Sequence, residues 1–264
     1  LIAEQGLDVV IPDGYTSIAP QAFKHSQLTS IEIPESVETI GTEAFAFNYL
    51  SSVEISGAVT TIGDAAFAYN SLTSVIIPGS VIAIGGWAFL QNQLTSIEIP
   101  EGVATIGVWA FAENQLTSAI ISDSVTMIGE NAFKQCFSLA DVNIPTTVSR
   151  IEERAFQGCS SLISISLPNT LTNISNRIFA DCSLLSSITI PPSVTSIGDL
   201  AFGNCVALTT VTIPESVIRI GKGAFDACAN LNEVTFEGAV PDFFSSTGGA
   251  PSPSDTYFPT SNAG

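Results

Sequence analysis

Phenylalanine recurs along most of this chain at a nearly constant interval. The ten residues that share this spacing are Phe23, Phe45, Phe67, Phe89, Phe111, Phe133, Phe156, Phe179, Phe202 and Phe225. Successive members are 22 residues apart in the first five intervals and 23 apart in the last four. A fixed period of roughly 20–50 residues is typical of solenoids, in which every repeat packs on its neighbours. We therefore predict one continuous solenoid of about ten repeats.

Each repeat contains two apolar patterns. The first alternates, as in Leu28, Ile31 and Ile33, and its β-branched residues predict a short strand. Eleven such segments, from 9–11 to 234–236, predict a parallel sheet, because stacked coils run in the same direction. The second pattern, V-x-x-I-G-x-x-A-F, occupies 103–111 and predicts a tight turn with a short helical piece. The expected fold is an α/β solenoid with a concave sheet and a convex side of turns or helical segments.

Three recurrent residue types have predicted structural roles. The Phe rings are expected to stack inside the body, coil on coil. Glycine after the isoleucine, as in Gly107, indicates either a positive φ or a close approach between coils. Proline after the strand, as in Pro34, is expected to end the strand ladder because it lacks an amide donor.

The five cysteines form one column, three residues after the repeat Phe. They are Cys136, Cys159, Cys182, Cys205 and Cys228. Neighbouring coils lie roughly 4.8 Å apart, a distance that allows disulfides in principle. An odd number of cysteines, no C-x-x-C motif and a single distant histidine instead favour reduced, buried thiols and no metal site. Earlier coils carry Asn48, Asn70, Asn92 and Asn114 here, whose amides are expected to bond turn backbone groups.

The charge balance is strongly acidic, with 25 Asp and Glu against 7 Lys and Arg. No basic residue occurs between Lys24 and Lys134, a stretch with eleven acids. Such a surface repels phosphate backbones and anionic lipids, so nucleic-acid binding is not expected. No apolar run reaches the roughly 18 residues of a membrane span, so membrane insertion is not expected either. The first residues show no signal-peptide pattern.

Few residues suit catalysis. His25 is the only histidine, so a histidine-dependent triad has a single candidate base. Glu152 and Glu153 are sequence neighbours without an evident cleft, and we interpret them as a solvated pair. No phosphate-binding, dinucleotide-binding, zinc-protease or calcium-loop motif is found. We therefore predict no enzyme activity, no catalytic residues, no cofactor and no metal.

The consensus L-x-x-I-x-I-P-x-x-V-x-x-I-G-x-x-A-F-x-x-C, repeated over about residues 6–240, resembles the BspA-like class of bacterial and protist leucine-rich repeats. The resemblance implies a right-handed leucine-rich repeat coil or horseshoe. It also implies a secreted or cell-surface location and a role in adhesion or protein binding, without naming a ligand. The first half departs from the class, because Asn stands where Cys is usual and one residue is missing before the next Leu.

The predicted partner-binding face lies on the exposed side of the sheet, since side chains between buried isoleucines point outward. Its candidate residues are Glu32, Glu54, Ile76, Glu98, Ile120, Ser74, Ser96 and Ser118, with Glu35 and Glu101 at the rim. The expected partner is a protein or a glycan, and a monomer is favoured. A structural spacer without a ligand is the alternative, and recognition of a regular surface such as ice by Ser and Thr rows is a weaker one.

Two further predictions concern the convex side and the ends. Trp87 and Trp109 occupy matching positions one coil apart, and packing is favoured over an exposed aromatic patch. The chain is divided into a solenoid, 1–240, and a capping segment with a linker-like tail, 241–264. In that tail Phe243, Phe244, Tyr257 and Phe258 are expected to fold back over the last coil.

Overall fold

A computed structural model describes residues 7–239 and the backbone of residues 242–244. The chain is a parallel β-solenoid of about 10 turns, one turn for each repeat Phe. Each coil lies beside the next, and equivalent residues pair, as Val9 does with Ile31 and Ile97 with Ala119. The predicted solenoid and its parallel pairing are confirmed.

Eighteen strands occur in the described residues. In chain order they are β1 (Leu7–Val10), β2 (Ser17–Ile18), β3 (Leu28–Glu32), β4 (Thr39–Ile40), β5 (Thr61–Ile62), β6 (Ala83–Ile84), β7 (Ser96–Ile99), β8 (Thr105–Ile106), β9 (Ser118–Ile121), β10 (Met127–Ile128), β11 (Asp141–Val142), β12 (Arg150–Ile151), β13 (Asn173–Ile174), β14 (Ser196–Ile197), β15 (Thr210–Ile213), β16 (Arg219–Gly221), β17 (Glu233–Phe236) and β18 (Asp242–Phe244).

The strands form two ladders on different sides of the coil. The first, called the strand ladder, contains the pairs β1–β3, β7–β9–β11 and β15–β17. The second, called the corner ladder, contains β2–β4–β5–β6–β8–β10–β12 and β13–β14–β16–β18. The sequence did not predict the corner ladder, because most of its strands are two residues long and show no alternation.

The strand ladder is less continuous than predicted. Seven of the eleven expected segments are strands in the described residues, and 53–55 and 75–77 contribute only the isolated bridge Glu54–Ile76. At β11 the Asn143 side chain replaces the backbone ladder. Its Oδ1 accepts from Ile121 N at 2.8 Å, and its Nδ2 donates to Ile121 O at 3.0 Å. Because these side-chain bonds occupy the backbone N–H and C=O of Ile121, the backbone ladder stops here and β11 ends at Val142.

The helical segments expected on the convex side are wrong: the described residues contain turns and no helix there. Residues two before and two after the repeat Phe have positive φ, as at Glu43 (54°) and Phe47 (59°). A left-handed residue interrupts a right-handed helix. The N–H of Phe45 also donates to Ala66 O of the next coil at 2.8 Å, instead of to a carbonyl four residues earlier. Inter-coil hydrogen bonding therefore replaces helix formation.

The core consists of columns of identical side-chain types, one member per coil. From Phe45 to Phe225 the repeat Phe rings are fully buried. From Phe23 onward, neighbouring rings stack at centroid separations between 5.2 Å and 5.8 Å. The predicted interior Phe column is confirmed, and it ties every coil to its neighbours.

The recurrent glycine and proline have different structural roles. A Cβ added at Gly107 would lie 2.6 Å from the carbonyl carbon of Gly85, and Gly107 has no positive φ. Close approach, and not an unusual φ, is therefore the reason for this glycine. Pro34 ends its strand and accepts from Val37 N at 3.1 Å, which closes a turn. Where Ser122 replaces proline, its N–H donates to Ile99 O at 3.2 Å, a bond that proline cannot make.

The Asn and Cys columns explain the change from 22 to 23 residues. Asn92 Oδ1 accepts from Leu72 N of the preceding coil at 3.0 Å, and its Nδ2 donates to Phe67 O at 2.9 Å. Cys159 keeps the second kind of bond, from Sγ to Phe133 O at 3.3 Å, but it does not accept a leucine N–H. In the longer coils the leucine N–H donates to a carbonyl of its own turn. Leu162 N, for example, donates to Cys159 O at 3.1 Å. The added residue makes that backbone turn possible.

The C-terminal part is described only to residue 244. Strand β18 pairs in parallel with β16 and so extends the corner ladder beyond residue 240. The division at 240 stays a prediction, and the predicted capping aromatics Tyr257 and Phe258 lie outside the described residues. Within the part of the chain that is described, no helix is long and apolar enough to cross a membrane.

Candidate functional site

The candidate binding face is the outward side of the strand ladder. On β7, Ile97 and Ile99 are buried in the core while Glu98 between them is exposed. Strand pairing places each outward residue beside the equivalent residue of the next coil: Glu98 lies beside Ile120, and Glu54 beside Ile76. Alternation on a rigid stack therefore produces a single exposed column.

The column combines carboxylates with two unusually exposed isoleucines. Ile76 is 81% exposed and Ile120 is 56% exposed. Glu32, Glu54 and Glu98 are exposed in the same column, one per coil. An apolar side chain with so little contact contributes almost nothing to folding. These five residues, which we call the strand-face column, are consequently available to a partner.

Serines and rim acids border this column. Ser96 pairs with Ser118 across neighbouring strands, and Ser74 occupies the same position in the coil before. Ser74 and Ser96 are exposed, whereas Ser118 is half-buried. The rim residues Glu35 and Glu101 are exposed in the turns that follow the strands. The structure thus brings all ten predicted face residues to one side of the solenoid; whether they bind a partner stays a prediction.

The N-terminal end of the face contains a small hydrogen-bonded group. Asp8 Oδ1 accepts from Ser30 Oγ at 2.7 Å and from Thr29 Oγ1 at 3.0 Å. The Ser30 bond, followed by the Thr29 bond, lowers the pKa of the Asp8 carboxyl below its ordinary value. Asp8 therefore stays charged in mildly acidic solution and adds to the negative potential of this face.

The residues considered for catalysis are occupied in other contacts. His25 stacks on Phe47 at a centroid distance of 4.6 Å on the turn side. Glu152 pairs with Arg150, and Glu153 lies 2.9 Å from Arg154. The five thiols are free and buried, and burial is the main reason that their pKa values are raised, to about 12 for Cys136. Over residues 7–239 no cluster of metal-ligating side chains occurs.

Sequence reasoning considered an exposed aromatic patch on the turn side for Trp87 and Trp109 only, and it missed Phe47 and Tyr69. Phe47 stacks on Tyr69 at 4.4 Å, and both lie two residues after a repeat Phe. Trp87 and Trp109 lie two residues before one. We call Phe47, Tyr69, Trp87 and Trp109 the turn-face strip. Its signal in the sequence was aromatic residues at equal positions in consecutive coils.

The preferred packing of the two tryptophans is corrected by the structure. In the described residues they make no ring stack with each other, and Trp87 is 42% exposed. Trp109 packs against a small apolar group, Ala68, Leu90 and Ala112. The Trp109 indole therefore rests on these buried side chains of neighbouring coils, and not on the Trp87 ring.

Comparison with known proteins agrees with this architecture. A family model described as "BspA type Leucine rich repeat region (6 copies)" matches residues 16–140 and 126–247. No curated protein matches the chain. A leucine-rich repeat protein from Bacteroides ovatus has a similar structure, with 25% identity, a TM-score of 0.63, and coverage of 90% of this chain and 74% of that one.

Two further solved structures are similar. The leucine-rich repeat protein of T. pallidum is 30% identical with a TM-score of 0.52, covering 57% of this chain and 73% of that one. A leucine-rich cell surface protein of Faecalibacterium prausnitzii is 29% identical with a TM-score of 0.50, covering 88% of this chain and 60% of that one. Since the family match extends over most of the described coils, the chain belongs to the BspA-type leucine-rich repeat family.

Proposed function

We propose that this chain is a non-enzymatic binding or adhesion module at a bacterial cell surface, which presents its strand face to a protein or glycan partner. The observation that carries the proposal is the strand-face column, where Ile76 and Ile120 stand exposed among Glu54 and Glu98 on a rigid stack. Solvent-exposed isoleucine has no folding role there, and apolar contacts bordered by charges are common in protein interfaces.

The surface location is supported by the names of similar structures. The F. prausnitzii protein is described as a cell surface protein, and PcpA, which shares only the fold at 18% identity, is described as a pneumococcal vaccine antigen. An extended face also suits adhesion, because a partner can contact several coils at once. The absence of aromatic anchors in the strand-face column favours a modest or multivalent affinity.

A structural spacer is the second candidate function. The observation that favours it is the uninterrupted column of stacked rings from Phe23 to Phe225, which makes neighbouring coils mechanically continuous. A spacer requires stiffness and solubility but no specific surface. If the chain is only a spacer, charge reversals on the strand face should affect it no more than charge reversals elsewhere on the surface.

The test compares two triple charge reversals on a glycan array and a panel of purified extracellular proteins. One variant carries Glu32→Lys, Glu54→Lys and Glu98→Lys on the strand face. The control carries Asp13→Lys, Glu38→Lys and Asp226→Lys, exposed acids outside the strand-face column, so the net charge changes equally. Both variants are first checked for native unfolding transitions.

The proposal predicts a ligand whose binding falls at least about tenfold in the strand-face variant and remains in the control, as expected for loss of interfacial charge contacts. Equal loss in both variants would show non-specific charge attraction and contradict a dedicated face. Binding unchanged in both would place the ligand elsewhere. No ligand on any panel would favour the spacer.

A further inference from the structure

The turn-face strip lies on a different side of the coil from the strand-face column. It runs across four consecutive coils, with Phe47 and Tyr69 in one column and Trp87 and Trp109 in the other. Buried small side chains, among them Ala68 and Ala112, form the floor between the columns. The chain therefore displays aromatic rings in two columns on its turn side, next to buried apolar side chains.

Both ends of this strip already hold a cation over a ring. Lys24 Nζ lies 5.5 Å from the centre of the Phe47 ring, and Lys134 Nζ lies 4.5 Å from the centre of the Trp109 ring. An ammonium group within about 6 Å of a ring centre is attracted by the negative face of the ring. The end rings of the strip thus act as cation-binding surfaces within the chain itself.

The middle of the strip lacks such a cation. Tyr69 and Trp87 are 37% and 42% exposed, and no cation lies over either ring within the described residues. No lysine or arginine occurs between Lys24 and Lys134 in the sequence. This stretch of chain therefore cannot supply a cation to the central rings, although it supplies one at each end.

Carboxylates lie in the same coils as these central rings or in neighbouring ones. Asp64 Oδ1 accepts from Gly86 N at 2.7 Å, which anchors the carboxylate next to Trp87 in the neighbouring coil. Glu113 lies two coils beyond Tyr69 in the same column, where it accepts a hydrogen bond from Gln91 Nε2. A carboxylate close to an aromatic ring strengthens the attraction for a cationic side chain and weakens it for a neutral or anionic one.

We propose that the turn-face strip binds a lysine- or arginine-bearing segment of a protein partner, with its cationic side chains over Tyr69 and Trp87 in the way that Lys24 and Lys134 lie over the end rings. The inference goes beyond the proposed function, because it assigns a second surface and a partner chemistry to it. Charge complementarity favours this occupant over a neutral sugar, which would use the rings but not the carboxylates.

The test titrates the full chain with a blocked hexa-arginine peptide and with the matching hexa-citrulline peptide, in about 150 mM salt so that long-range attraction is screened. The chain has two tryptophans, and both belong to the strip, so intrinsic fluorescence reports on the strip directly. Calorimetry gives the affinities. We expect hexa-arginine to change the fluorescence and to bind at least about tenfold more tightly than hexa-citrulline, since citrulline has no charge.

Variants then locate the contact. Trp87→Ala and Tyr69→Ala are each expected to weaken hexa-arginine binding about threefold to tenfold. Alanine already occupies the Trp87 position one coil earlier, at Ala65 with φ 53°, so the backbone accepts this substitution. Phe137→Ala, which removes another exposed aromatic ring outside the strip, is the matched control and is expected to bind like the unmodified chain. The strand-face triple reversal should change the affinity less than about threefold.

Four results would overturn the proposal. The first is equal binding of hexa-citrulline, and the second is unchanged binding by both strip variants. The third is a fluorescence response to neutral cellohexaose without one to hexa-arginine, which would make the strip a sugar platform. The fourth is no response to any of these probes. A strand-face ligand that survives the strip substitutions would leave the proposed function intact, so the two proposals fail separately.

Discussion

At the scale of single residues, contact between coils decides which side chain is allowed. Gly107 shows this clearly, since its missing Cβ leaves room for the backbone of Gly85 and Gly86, both 2.6 Å from where a Cβ would stand. Backbone cannot move aside as a flexible side chain can. The pattern of glycine after isoleucine was visible in the sequence, but only the structure separates close approach from an unusual φ.

Substitution of this glycine should therefore destabilise the chain. We expect Gly107→Ala to lower the free energy of unfolding by about 1–3 kcal/mol, the usual range for overpacking. The measurement is urea-induced unfolding followed by circular dichroism. Gly57→Ala is the control, because nothing lies within 4 Å of a Cβ at Gly57, and its effect should stay within about 0.5 kcal/mol. Equal effects of the two substitutions would refute the close-approach explanation.

At the scale of the repeat element, the side chain in the Asn or Cys column is matched to the loop of the coil before it. Short loops leave a leucine N–H that the next coil's Asn accepts, as Asn114 does from Leu94 at 3.0 Å. The exception is the boundary between the Asn and Cys columns. There the short loop from Asn114 to Leu116 is followed in the next coil by Cys136 instead of Asn. Cys136 Sγ donates to Phe111 O, and no acceptor for Leu116 N is found in the described residues.

The same substitution in adjacent coils should consequently have opposite effects. Cys136→Asn supplies the missing acceptor for Leu116 N and is expected to raise the free energy of unfolding by about 1 kcal/mol. Cys159→Asn is expected to lower it by about 1–3 kcal/mol, because Leu139 N already donates to Cys136 O, so the larger amide replaces a buried thiol without gaining the leucine N–H. Denaturant unfolding of both variants measures this. The loop-matching explanation fails if the two changes have the same sign.

At the scale of the whole molecule, the effects of equivalent groups in successive coils add up, as those of the cysteines do. The five buried thiols have raised pKa values, chiefly because burial disfavours the thiolate, with about 11 for Cys228 and about 12 for Cys136. In the unfolded chain a thiol ionises near pH ~8.5. Between that pH and the folded pKa, the unfolded state has released protons that the folded state still holds. Stability is fully present below pH ~8.5 and is lost as the pH rises through this window.

We therefore predict alkaline destabilisation that depends on thiol number. Each thiol should reduce the free energy of unfolding by about 1.4 kcal/mol per pH unit above pH ~8.5, or about 2 kcal/mol at pH 10. Urea unfolding under reducing conditions at pH 7.5 and pH 10 measures the loss, and Cys159→Ala should lose about 2 kcal/mol less than the unmodified chain between these pH values. An identical loss in the two proteins would show that other groups, such as tyrosines, cause the effect.

The sequence by itself determined the features that depend on burial. The period of Phe residues placed one ring per coil, and the alternation around Glu98 and Ile120 placed these side chains on the outside, because periodicity reports directly which side of the chain meets water. The tertiary structure alone decided which backbone groups pair between coils and how exposed the rings of the turn side are. Turns replaced helical segments around Phe45, a second ladder formed at Ile40, and Trp87 was left exposed, since each depends on a partner about 22 residues away.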